Sequence, residues 1–124
     1  MTPQEIFDEI MKFFFTLQIL NKIYHLTTTL YARHKATDVF DDNLQNHIDK
    51  FAEVYIGRYN VRINITKLNF NPEYLSDGGI ERLFLDSISY LENLDRLVNN
   101  TELLNIRDEI LADINKTLYL FRLK

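Results

Sequence analysis

Apolar residues recur along most of the chain at intervals of three and four, the period of a helix with one buried face. Ile6, Ile10, Phe13, Phe14, Leu17, Leu20 and Tyr24 mark a first helix that runs to about Thr27. Its start is written in Thr2-Pro3-Gln4-Glu5, where Thr2 can cap, Pro3 suits the first helical position and Glu5 can close a capping box. Thr27-Thr28-Thr29 breaks the pattern, and one of these threonines is expected to cap the next helix. That second helix runs from about Leu30 to Ile56, with Ala36, Phe40, Leu44, Ile48, Phe51 and Tyr55 in one stripe and Gly57 as its terminator.

Residues 58–76 lose the helical period. Val61, Ile63 and Ile65 alternate there, so an irregular or extended crossover of about 19 residues is expected. Ser76-Asp77-Gly78-Gly79 starts a third helix containing Ile80, Leu83, Phe84, Ile88, Leu91, Leu94 and Val98. Asn99-Asn100-Thr101 turns the chain into a fourth, with Leu103, Leu104, Ile106, Ile110, Leu111, Ile114, Leu118 and Phe121. The expected fold is all-α: one domain over residues 1–124, a four-helix bundle with a long crossover between helices 2 and 3.

Composition narrows the chemistry. With no Cys, disulfides, zinc–thiolate sites and thiol catalysis are excluded. A net charge of −4 argues against non-specific nucleic-acid binding. No segment approaches the roughly 18 apolar residues of a membrane span, and the polar, acidic start does not read as a signal peptide. A cytoplasmic protein is expected, in which the three Asn-x-Thr sequons are accidental.

The second helix carries the candidate chemistry. His34, Asp38, Asp49 and Glu53 fall within about 100° of one another beside the apolar stripe. A solvated helix face accounts for such a set as well. His34 and Asp49 are about 22 Å apart along the axis, so one helix cannot bring them to one ion. Yet the numbers of His34 and Glu53 add to the same total as those of Asp38 and Asp49. Two copies of this helix packed antiparallel about a two-fold axis, at the level of Asn43 and Leu44, set His34 against Glu53 of the other copy and Asp38 against Asp49. Two equivalent sites of imidazole and carboxylate result, a donor set suited to iron, manganese or zinc. His25, at the end of the first helix, can reach the same place.

The pattern resembles Dps-like mini-ferritins, relatives of ferritin that oxidise ferrous iron at a dimer interface. Their second helix carries His-x-x-x-Asp, ten residues, then a D-x-x-A-E segment. Here these are His34-Lys35-Ala36-Thr37-Asp38 and Asp49-Lys50-Phe51-Ala52-Glu53. His25 to Thr28, Ala32 to Ala36 and Glu53 to Gly57 are also similar to stretches of uncharacterised ferritin-like proteins of phages and large DNA viruses, for which the cytoplasm would be the host's. The resemblance implies a ferritin-like bundle, iron as the metal, a homodimer through the second helices and larger homo-oligomers built on it. It implies His25 and His34 as nitrogen ligands, Glu53 as the principal carboxylate, Asp49 bridging from the other subunit and Asp38 as an outer ligand. Loss of catalysis with retention of the bundle is the alternative it leaves. The chain departs from the mini-ferritins in having Leu26 after the first histidine in place of Trp, a gap between histidines three residues shorter, and no lysine-rich tail. The ordinary ferritin centre needs Glu-x-x-His on two helices; no Glu lies three residues before His25, His34 or His47.

Other residues have plainer readings. His47 projects near the apolar stripe as a hydrogen-bonded core or interface histidine. Phe13-Phe14-Phe15 is expected to be core with one exposed ring. Tyr24, Tyr31 and Tyr55 read as buried. Arg58, Arg62 and Lys67 with Tyr59 and Phe70 read as a charge-balanced loop, and stacking on single-stranded nucleic acid as the alternative.

Overall fold

A computed structural model describes all residues, Met1–Lys124. Four helices and no strands form the chain: α1 (Pro3–Thr27), α2 (Tyr31–Tyr59), α3 (Asp77–Glu92) and α4 (Thr101–Phe121). They pack as a four-helix bundle around one hydrophobic core to which all four contribute. Phe7, Phe14, Phe40, Phe51 and Phe84 are fully buried in it, each worth roughly 2–3 kcal/mol over an exposed ring.

The cap of α1 forms as its sequence dictates. Thr2 Oγ1 accepts from Glu5 N–H at 3.1 Å, and the Glu5 carboxylate accepts from Thr2 N–H at 3.0 Å. The bond from Thr2 N–H, helped by the Thr2 hydroxyl, holds the Glu5 carboxyl below its usual range. Ser76 caps α3 by accepting from Gly79 N–H at 3.0 Å.

Three local expectations are corrected. No threonine caps α2: its N-cap is Leu30, which has no capping side chain. Thr28 Oγ1 instead accepts from Leu30 N–H, and Thr27 Oγ1 donates back to Ile23 O. Gly57 does not end α2. The helix runs to Tyr59 and stops at Asn60, whose left-handed φ of 52° suits a short polar side chain. Helix α3 ends at Glu92 rather than Val98; Asn93 Nδ2 donates to Ser89 O, competing with the helical ladder, and a 3-10 turn follows at Leu94–Arg96. The alternation of Val61, Ile63 and Ile65 produces no strand: the first two are half-buried, while Ile65 is exposed and opens a 3-10 turn, Ile65–Lys67.

Side-chain pairs give the helix directions. Phe7 stacks on Tyr55 and Phe14 meets Phe51 edge-on, so α1 and α2 are antiparallel. Arg33 lies over Phe121 while Arg58 faces Glu102, so α2 and α4 are antiparallel. Tyr24 donates to Asp77 at 2.6 Å and Phe13 stacks on Tyr90, so α1 and α3 are antiparallel as well. Residues 60–76 join α2 to α3 and lie against α1, through Gln4 with Arg62 and, further along, Phe15 with Phe70. None of Phe13, Phe14 and Phe15 is therefore an exposed ring.

Candidate metal-binding face

The turn between α1 and α2 brings His25 and His34 together. Their rings stack with centroids 4.1 Å apart and planes at 14°. His25 Nδ1 lies 2.8 Å from the carbonyl oxygen of His34, and His34 Nδ1 lies 2.9 Å from that of His25. A carbonyl oxygen only accepts, so both Nδ1 atoms carry the proton. Thr37 agrees: its hydroxyl donates to Arg33 O at 2.7 Å and leaves its oxygen to accept from His25 Nδ1–H at 3.1 Å. Each neutral ring therefore keeps its lone pair on Nε2. A metal-binding histidine is ordinarily set by such a bond at its other nitrogen. The arrangement also satisfies His25 O, which lies in the last turn of α1, where carbonyls run out of helical partners.

His25 is only 6% exposed. Its Nε2 faces Asp38 Oδ1 across 3.8 Å, the Asp38 side chain being half in solvent. A lone pair and a carboxylate oxygen face each other there, across a gap that a water or a cation can bridge.

Asp38, Asp42, Gln45, Asp49 and Glu53 are all exposed, and His34 is half-buried beside them. They occupy the side of α2 away from the buried stripe of Ala36, Phe40, Leu44, Ile48, Phe51 and Tyr55. Leu44 points inward, so the outward residues at its level are Asp42 and Gln45. One chain brings His25, His34 and Asp38 to one end of this face and leaves Asp49 and Glu53 further along it. No three His, Asp or Glu side chains within the chain converge closely enough to hold an ion. The field of the face reaches α1: the Lys22 ammonium, 2.9 Å from Asp41, is held above its usual range mainly by that hydrogen bond, with Asp38 and Asp42 adding to it against partial burial.

Thr37, fully buried against His25, is the site residue that residue patterns miss, because a hydroxyl inside a helix ordinarily bonds its own backbone and signals nothing. His47 faces α4, away from this site, with Nε2 2.9 Å from Glu109 and Nδ1 3.4 Å from Asp113 Oδ2, the last two atoms buried without a hydrogen bond. Burial raises the Asp113 carboxyl, opposed by His47 and Lys116. Tyr24 and Tyr55 are buried as expected; Tyr31 is 73% exposed and is not. Tyr59 donates to Asn100, and Phe70 packs on Phe15, so two aromatics of the basic loop are already engaged.

Residues 25–121 match the model of a family of unknown function (DUF5856), and the chain belongs to that family. The matched span takes in His25, His34, Asp38, Asp49 and Glu53. No curated protein matches the chain, and no solved structure does. No helix is long and apolar enough to cross a membrane.

Proposed function

We propose that this chain is a Dps-like, ferritin-type metal-binding protein that takes up iron at two sites formed across a two-fold homodimer, with ferroxidase activity there. Residues 60–76 serve as the long crossover of a ferritin-like bundle, a reading supported by the parallel course of α2 and α3, each antiparallel to α1. The observation that carries the function is the reciprocal bonding of His25 and His34. It fixes both tautomers, leaves a lone pair on each Nε2, that of His25 facing Asp38, and does so at the end of the acidic face that holds Asp49 and Glu53. His25, His34 and Asp38 of one copy would then meet Asp49 and Glu53 of the other. Imidazole with carboxylate fits Fe2+, and also Mn2+ or Zn2+.

Iron would be substrate as well as ligand. Two ferrous ions each give up one electron, and hydrogen peroxide takes the pair with two protons and leaves as two waters. The protein supplies donors and position, and dioxygen is the other oxidant to test. Ferrous iron and peroxide added to the purified chain should raise ferric absorbance faster than the protein-free control. A Glu53→Ala/His34→Ala variant should lose that rate. An unchanged rate in the variant, or none above the control in the parent, ends the proposal.

A ferritin-like bundle that serves only structure or interaction is the second reading. It is favoured by the absence of any three-ligand cluster within one chain. Its mark is a dimer or larger assembly that holds no metal after anaerobic loading.

A further inference from the structure

We infer that metal loading and dimer assembly are linked: the metal-free chain resists pairing through α2, and a divalent cation at each site removes the resistance. The inference rests on the antiparallel register proposed above and adds to it how assembly is controlled.

In that register the exposed Asp38 carboxylate faces Asp49 of the second copy, twice per dimer. Asp42 faces Gln45 at the centre, so no cation from the other copy is set against it. Of the cations nearby, Lys22 is bound to Asp41 at 2.9 Å, while the exposed Lys35 and Lys50 fall opposite Ala52 and Thr37 in this register and not opposite Asp38, Asp42 or Asp49. Each chain adds a net charge of −4. Like charges brought face to face oppose association, and the opposition grows as the interface excludes water. Of the other pairings in the same register, the exposed Tyr31 ring with Ile56 favours contact, while the His34 Nε2 lone pair meets the Glu53 carboxylate as acceptor against acceptor. The face therefore opposes a second copy where Asp38 meets Asp49 and where His34 meets Glu53, the donors a shared cation would join.

The buried end of the face supplies the second argument. His25 is nine-tenths buried, its Nε2 lone pair confronts the Asp38 oxygen at 3.8 Å, and its Nδ1 proton is committed to His34 O. The ring cannot supply a proton to that gap by switching tautomer without breaking the bond to His34 O. A cation that satisfies this gap also neutralises the carboxylates that oppose the dimer. A ligand whose site is complete only in the assembled state must, by linkage, stabilise that state.

Sedimentation velocity on the full chain tests this, with EDTA in one arm and Co2+, an air-stable probe, in the other. The dimer dissociation constant should tighten about tenfold or more with Co2+, the scale of relieving a like-charge contact. An Asp38→Asn/Asp49→Asn variant, changed only at exposed positions, should pair in EDTA more tightly than the parent does in EDTA, and should lose the response to Co2+. Raising salt should tighten the metal-free parent dimer by screening. If Co2+ binds to a parent dimer whose constant is the same in EDTA, the linkage is overturned and the site reading stands. If Co2+ binds and the chain stays monomeric, both the linkage and the register fall. If no Co2+ binds at all, the metal reading itself falls with the linkage.

Discussion

Tyr90 shows how far the interior can be improved at a single atom. Its ring stacks on Phe13 at 4.0 Å, but its hydroxyl is buried with no hydrogen-bond partner. A buried hydroxyl left unpaired costs more than its absence, so Tyr90→Phe should raise unfolding free energy by about 1 kcal/mol in urea denaturation. The histidine pair is the opposite case, with both Nδ1 protons placed. The spacing of His34, Asp38, Asp49 and Glu53 was legible in the sequence because helical geometry converts numbers into faces. The bonding of His25 and His34 was not, because each partner is a main-chain oxygen and carries no residue letter. Thr37 was hidden for the same reason: its buried contact with His25 depends on the turn geometry, which periodicity does not report.

Among the elements, α2 and α4 begin without a capping side chain, Asn100 at α4 accepting from Tyr59 instead. Leu30 is the N-cap of α2, is 44% exposed, and offers nothing to the first free N–H groups of the helix. Leu30→Ser should therefore stabilise the chain by about 1 kcal/mol, read as a rise in thermal midpoint, provided the His25–His34 turn keeps its shape. The helices themselves were readable from apolar period, and so was the Thr2 to Glu5 cap. Their ends were less so. Gly57 looked like a stop, yet packing of Tyr55, Ile56 and Tyr59 carries α2 onward until Asn60 takes the left-handed conformation. In α3 the apolar period continues through Leu94 and Val98, both buried, although the helix ends at Glu92. Burial at helical spacing persisted there without the helix.

At the scale of the molecule, three tyrosines tie the bundle to alkaline pH. Burial pushes the Tyr55 phenol up to about 12 and the Tyr90 phenol higher still. Tyr24 is raised too, chiefly by burial and then by its bond to Asp77. A phenol whose folded value lies above its unfolded value of about 10 contributes its full stability below that pH and loses it as pH climbs through the folded value. The native fold should thus weaken from about pH 10 to pH 12. Phenolate absorbance should fall short of all seven tyrosines until helical circular dichroism collapses, and the remainder should then appear with it. One structural feature also bears on how the chain tolerates change. Exposed turns are where insertions and deletions ordinarily accumulate at little cost. Between His25 and His34 each imidazole reads the main chain at the position of the other, so one residue added among Thr27, Thr28 and Thr29 would displace both rings at once. An accessible bend of the molecule is thereby one whose length is fixed.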